Sequence, residues 1–568
     1  MKQKIYLFAA LALLAVHFFA GLDTIRRLSP TYDEPLHLAA GYSYWKTDKF
    51  YLNIYDHPPL AEMTGAIPLL SMNPALPTSH PAWQNYEQYS FADLFLYKNS
   101  IDAEKMLNSG RVAILIVSCL LGFLIFRWAS ELYGGTAALL VLSLYVFSSN
   151  FLAHATLVTT DLVFVFFFTL GTYFLWKWFN TQLIKYSILC GVFTGLAFCS
   201  KYSAGILLLA YLLVFFFGYR KNKKVTTKLI SHGLIFLGAL AITILFVYRF
   251  SQAGLYFEGL RYLTKQMGRG RSSFLFGQYS TTGWSYYFVL LALIKTPVAF
   301  IALFAGSFFF LKKYNKEHFA ILLVPPLLYF TVSSFSKVQI GMRHILPIYP
   351  FLFLWAGNLF KYLGSRFKQA GWAVSFVLIL LYAAEFAVVH PWHLSYFNKA
   401  AGGPENGSKY LTDSNIDWGQ GLKELRRWVI QQNKAPVIYM CYFGVGDPHY
   451  YGIQYIPIGF INNMKPQERP GDAVFPGKNE PIIFAISVTN LKATYYADKK
   501  TFSWLEEFCK PVAVAAQSIF IYDLTDKPDC LRKLGDLYGQ IGNAGQKSFL
   551  YSRAAFVVAE RSSADLRK

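Results

Sequence analysis

Residues 31–45, TYDEPLHLAAGYSYW, follow the first long apolar run of the chain. They hold two adjacent carboxylates, Asp33 and Glu34, where a segment leaving a bilayer would present them at the membrane surface. The run before them, MKQKIYLFAALALLAVHFFAG at residues 1–21, reads as a first span near 4–22. A cleaved signal peptide is the rival reading, from the basic start and small-residue end, and it leaves Asp33 where it is.

Outward from that stretch, composition sets the class. The 568 residues are 54% hydrophobic and only 15% charged, the balance of a membrane protein and not of a soluble enzyme. Apolar runs place spans near 4–22, 112–128, 135–152, 161–178, 186–200, 203–219, 229–248, 290–311, 318–334, 343–360 and 371–389. The pair 186–200 and 203–219 also reads as one broken helix pair, and Pro297, Pro325 and Pro326 should kink helices or end them. The expected fold is therefore a polytopic α-helical membrane protein of about eleven spans. Its membrane domain covers residues 1–389, with a large first outer loop at 23–111, and is followed by a soluble α/β domain at 390–568. In the latter, APVIYMCYFG, EPIIFAISVTNL and QSIFIYDLT read as strands, with helical stretches between and after them.

Charge orients the chain. Residues 1–389 hold 32 Lys/Arg against 15 Asp/Glu, and 390–568 hold 21 against 17, so most of the +21 belongs to the membrane half. With the N-terminus inside, the inner loops carry about twice the cations of the short outer ones, chiefly through Arg220–Lys228, Lys312–Lys316 and Lys361–Lys368. The odd span count then puts the C-terminal domain outside with Asp33. Neither half concentrates cations with interleaved aromatics on a soluble face, which argues against nucleic acid. No P-loop and no GxGxxG at a strand-to-helix turn is present. Of six cysteines, Cys509 and Cys530 are close enough in sequence to form a local disulfide in an oxidising compartment.

Ionisable residues near hydrocarbon are costly and tend to serve function. Asp33 is the first candidate, with a helix cap before EPLHLAAGYSYW as the bland alternative. Asp161 opens a strongly apolar span near His154, where the helix dipole alone would favour a carboxylate. Glu385 reads as the structural partner of a basic residue. His57, in DHPPLAEM with Asp56 and Glu62, is a candidate metal ligand or a loop hydrogen-bonder. On the same side Lys201, Lys295, Arg343 and His344 lie near span ends, and the 249–283 loop adds Arg249, Arg261, Lys265, Arg269 and Arg271 against Glu258 alone. Anionic lipid headgroups would explain that excess, and so would a bound phosphate.

The strings TYDEPLHLAAGYSYW, HPPLAE, GLAFCSKYSAG, FLFGQYSTTGWSYYFVLLALIKTP and IGMRHILPIYPF occur in that order. Together they resemble the GT-C class of membrane glycosyltransferases, in the branch of bacterial protein O-mannosyltransferase-like and lipid A aminoarabinose transferase-like enzymes. The resemblance covers essentially residues 1–400. It implies a polyprenyl-phosphate-linked sugar passed with inversion to a protein, lipid or glycan acceptor on the outer face of a membrane, the bacterial inner membrane in this branch. It also implies Asp33 as catalytic base, and Glu34 and Asp161 as orienting or metal-coordinating acids. Lys201, Lys295 and Arg343, with His344, Arg249, Arg269 and Arg271, would then hold the donor phosphate. Some members of the class need a divalent ion and others do not. The string LTDSNIDWGQGLKEL is associated with bacterial members; its Asp417 and Trp418 would bind carbohydrate or form a turn and helix cap. A transporter or lipid-sugar flippase is the competing class, but it should show inverted repeats and mid-membrane charge, whereas polar residues here gather at one face.

Overall fold

A chain in hydrocarbon has no water to satisfy its backbone, so apolar runs must close their own hydrogen bonds as helices. The computed structural model describes residues 2–219, 227–309, 316–432, 436–458, 475–477 and 480–565. Among these, five helices are long and apolar enough to cross a membrane: Lys2–Arg27, Ala103–Tyr133, Asp161–Thr181, Thr227–Val247 and Leu346–Val389. Two bent pairs make seven if each is one span, Gly135–Val146 with Ser149–Ala155 (62°) and Tyr287–Lys295 with Val298–Phe308 (116°). Shorter apolar helices are Leu60–Met72, Ile184–Phe198, Tyr202–Phe216 and Phe319–Ser334. The chain is an integral membrane protein. Of the expected inner-face cations, Arg220, Lys221, Lys223, Lys224, Lys312 and Lys313 lie outside the described residues.

The prolines act as their chemistry requires, with one difference. The sharper bend falls at Thr296–Pro297, and Asn398 Nδ2 donates to the carbonyls of Leu293 (2.6 Å) and Thr296 (2.7 Å) beside the break. Pro325 and Pro326 instead lie inside helix Lys316–Ser334. The expected spans 343–360 and 371–389 form one run with non-helical angles at Lys368 (φ 49°, ψ −123°). In a straight helix Leu363 and Gly371 would stand about 12 Å apart. Here a side chain on Gly371 would collide with the Leu363 carbonyl oxygen, and one on Gly364 with the Trp372 ring. The run folds back on itself at Lys368.

The chain divides into two compact units. The first comprises Met1–Arg26, Asp33–Arg271 and Thr281–Pro404. The second comprises Arg27–Tyr32, Ser272–Ser280 and Glu405–Lys568, so its main run starts at 405, where the sequence placed a boundary at 390. In the first unit, helix Glu34–Thr47 crosses helix Leu60–Met72 with Gly41 against the Glu62 carbonyl, an approach that leaves no room for a Cβ. The Glu34 carboxylate is fully buried and bidentate to Arg111, with Nε–Oε1 at 2.8 Å and Nη2–Oε2 at 2.6 Å. It also accepts from Val158 N at 2.9 Å.

In the second unit, strands β1 (Ser273–Leu275) and β2 (Gln278–Ser280) form an antiparallel pair. A separate five-stranded sheet runs in the order β4 (Tyr455–Pro457), β3 (Ile438–Cys441), β5 (Ile483–Ser487), β7 (Ile519–Asp523), β6 (Ala513–Ala515). The first three are parallel and the last two join antiparallel. Alternation along β3 and β5 explains burial on both faces: Tyr439, Cys441, Phe484 and Ile486 pack on helix Pro528–Gln540 and its follower Ala544–Asp565. Ile438, Met440, Ile483 and Ala485 pack with Leu422, Leu425 and Val429 of helix Leu422–Ile430. Cys509 and Cys530 form the expected disulfide.

Glu34→Ala would leave Arg111 buried without its carboxylate. Loss of one partner of a buried pair costs roughly 3–5 kcal/mol, so the variant should melt well below wild type in detergent, and Glu34→Ala with Arg111→Met should recover part of the loss. A single variant with wild-type melting would show that the pair does not hold the fold.

Candidate active site

Chain breaks at helix ends build the site, because a helix interrupted near the membrane surface frees side chains to point sideways. Asp33 stands at the N-cap position of helix Glu34–Thr47, yet its side chain makes no capping bond. It reaches Arg343 Nη1 at 3.2 Å instead. Asp161 begins its span after the 156–160 turn, and its Oδ1 accepts from Lys201 Nζ at 2.6 Å. Lys201 itself is extended (φ −158°, ψ 136°) between helix Ile184–Phe198 and the short turn Tyr202–Ala204, at the break in the expected helix pair.

These residues share a cavity of about 240 Å3. Asp33, His37, Asp56, His57, Asp161, Lys201, Arg271, Arg343 and His344 are in its wall, three acids facing three permanent cations. Behind it, His37 Nδ1 pairs with the buried Glu62 Oε1 at 2.8 Å, and Asn53 Nδ2 donates to the same oxygen at 2.5 Å. The His57 ring lies 5.1 Å from His37.

Burial and charge fix the protonation of this wall. Asp56 is pushed up to about 6, first by burial and then by the carboxylates of Glu62 and Asp33, against the opposing charge of His37. Burial works to lower His37, but the hydrogen bond and charge of Glu62, with Asp33, more than offset it and the net shift is upward. His57 and His344 are held well below the usual histidine range, by burial first and then by neighbouring cations that include Lys201 and Arg343. Both stand neutral at pH 7.

Other sequence candidates sit elsewhere. Glu34 is not in the cavity wall, because Arg111 takes both its oxygens. Lys295 is also absent from it: buried, it donates to the Leu394 carbonyl at 2.8 Å and lies over the Phe397 ring. Arg249 binds the Tyr44 carbonyl and Asp48, over Phe50, while Arg269 meets Gln266 at the end of helix Gly254–Arg269. Of the 249–283 loop cations, Arg271 lines the cavity. Asp417 and Trp418 are buried in the second unit: Asp417 accepts from Thr489 N, and Trp418 N donates to Gln420. They build the turn, and helix Leu422–Ile430 has no side-chain cap. Glu385 is met by the Tyr396 hydroxyl, a phenol in place of the expected base. Among the described residues no three His, Cys, Asp or Glu are grouped to hold a metal ion, so His57 is read through its ring neighbours.

Sequence reasoning gave no role to Asp56 or His37 and passed over Arg111. An arginine at the start of the apolar stretch of Ala103–Tyr133, well before Arg127 near its other end, was the available signal for the last.

Residues 103–249 match the family model described as dolichyl-phosphate-mannose-protein mannosyltransferase. The GT-C resemblance is met. This mannosyltransferase-like stretch contains Arg111, Asp161 and Lys201, the clamp and one ion pair of the cavity. No curated protein matches the chain in sequence. Among solved structures, ArnT from Cupriavidus metallidurans in the apo state is 12% identical, with 92% of this chain and 98% of that chain covered and a TM-score of 0.49. The same protein bound to undecaprenyl phosphate gives 11%, 90%, 97% and 0.45. The Archaeoglobus fulgidus oligosaccharyltransferase tethered to an acceptor peptide gives 11%, 79%, 65% and 0.38.

Because Asp56 has a folded pKa of about 6 above an ordinary 3.8, its contribution to stability is complete below the lower value and is lost as pH rises through the upper one. Melting temperatures in detergent from pH 4 to 7 should show that decline in wild type and a flatter profile in Asp56→Asn. Identical slopes would remove Asp56 as its source.

Proposed function

We propose that the chain is an inverting glycosyltransferase that takes a sugar from a polyprenyl-phosphate donor and passes it to a hydroxyl-bearing protein, lipid or glycan acceptor. One observation carries the reading: Asp33, Asp161, Lys201, Arg271 and Arg343, from distant parts of the sequence, line one cavity. The family match to lipid-phosphate-mannose transferases supports the donor class.

In this reading the Asp33 carboxylate accepts the proton of the acceptor hydroxyl as its oxygen attacks C1 of the sugar. The bond from C1 to the carrier phosphate breaks with inversion, and the phosphate leaves with the electron pair. Lys201, Arg271 and Arg343 neutralise the charge that grows on it, where electrostatic stabilisation lowers the barrier most. Entry of the phosphate gives Arg343 a second anion and loosens its hold on Asp33, which frees the base as the donor arrives. The 1–389 membrane domain, with eleven crossings when the reversal at Lys368 separates two spans, carries the chemistry. The C-terminal α/β domain and the cavity then face outward from the bacterial inner membrane. The Cys509–Cys530 disulfide and the inner-loop cations support that orientation.

Asp33→Asn should retain donor binding and lose transfer by roughly a hundredfold or more, the scale of a lost general base. Lys201→Met and Arg343→Gln should raise the donor KM and lower kcat/KM with the acceptor KM little changed, whereas Lys295→Met should leave the donor KM intact. Near-wild-type turnover in Asp33→Asn, checked with radiolabelled donor, would end the assignment of the base.

Orientation has its own test. A cysteine placed within 219–228 should react with an impermeant maleimide after permeabilisation alone, and one within 398–408 should react in intact cells. The reverse pattern would place the cavity on the inner side.

A further inference from the structure

Asp161 Oδ2 and His344 Nε2 are buried polar atoms of residues lining this cavity, and neither has a hydrogen-bond partner among the described residues. Asp161 is only 2% exposed, and its other oxygen is taken by Lys201. Native proteins match nearly all buried polar atoms, so unmatched atoms of this kind on the residues of one cavity mark the place of a group that enters it.

Their chemistry restricts that group. An ionised carboxylate oxygen accepts only, and a neutral imidazole whose proton is assigned to Nε2 donates there only. A phosphate oxygen would satisfy His344 and repel Asp161. An ammonium would satisfy Asp161, but it has no lone pair for Nε2–H, and it would enter a wall that already holds Lys201, Arg271 and Arg343. Those three charges, after burial, are what keep His344 itself unprotonated. An uncharged hydroxyl carries both the proton that Oδ2 requires and the lone pair that Nε2–H requires.

We infer that Asp161 and His344 form the subsite for one free hydroxyl of the transferred sugar, so that the donor carries a neutral sugar and not a charged amino sugar at that position. The inference rests on the cavity being the donor site. It removes His344 from the phosphate contacts and makes Asp161 a substrate-binding group that also positions Lys201.

The test measures binding to the full chain in nanodiscs, with four kinds of probe: a polyprenyl-phosphate hexose, its monodeoxy forms, its 4-amino-4-deoxy form and bare polyprenyl phosphate. Wild type should bind the hexose donor roughly tenfold more tightly than the one monodeoxy form that lacks the recognised hydroxyl, the scale of a hydrogen bond whose buried partners are left unmatched. His344→Phe should erase that difference and leave bare polyprenyl phosphate affinity unchanged. His344→Gln, which keeps an N–H donor, should restore part of it. Asp161→Asn should lose discrimination too, but with weaker phosphate binding because Lys201 loses its anchor. Equal weakening of hexose donor and bare polyprenyl phosphate in His344→Phe would overturn the inference, as would preference for the amino form or unchanged discrimination in the variants. Failure of wild type to bind either the hexose donor or bare polyprenyl phosphate would overturn the donor reading itself, a result separable from the others.

Discussion

The ion pair between Glu34 and Arg111 is the constraint from which the cavity follows. Two full charges are removed from water, which only a bidentate geometry with further hydrogen bonding repays, and Val158 N supplies the third contact. The three partners come from helix Glu34–Thr47, helix Ala103–Tyr133 and the turn before Asp161. Once they are fixed, Asp33 lies one residue from the clamp and Asp161 three residues beyond Val158. Both cavity carboxylates are therefore carried by backbone that a buried charge pair holds still, the kind of support a preorganised site requires.

Adjacent acids consequently have opposite fates. Glu34 points into the protein and is spent on structure, while Asp33 gives up the capping bond its position offers and meets Arg343 across the cavity. The cations divide similarly. Lys201, Arg271 and Arg343 face the cavity, whereas Lys295 and Arg249 hold main-chain carbonyls and aromatic rings. A wall of three acids and three permanent cations is close to balanced in formal charge. Neutral His57 and His344 fit the same scheme, since burial and the neighbouring cations both disfavour two more positive charges in so small a volume.

Helices and their approximate ends were legible in the chain because hydrocarbon leaves an apolar run one way to satisfy its backbone. Strands β3, β5 and β7 of the second unit were legible as short β-type runs, which the sheet buries on both faces, while β1, β2, β4 and β6 were not. Charge and order of motifs identified Asp33, Asp161, Lys201, Arg271 and Arg343 as candidates, because ionisable side chains near a membrane are conspicuous. The same reasoning chose Lys295, Arg249 and Arg269 with equal force, since proximity to a span end does not say which way a side chain turns.

By itself the sequence determined the class of protein, a helical membrane chain with a mixed sheet-bearing unit after it, and a short set of charged residues from which a site could be made. The tertiary structure decided which of them meet. Glu34 finds Arg111 across 77 residues and Arg343 finds Asp33 across 310, contacts that no local period or spacing encodes. Burial then set what each group can do, raising Asp56 to about 6 and keeping His57 and His344 neutral, because desolvation and neighbouring charge depend on the packed surroundings and not on the residue alone.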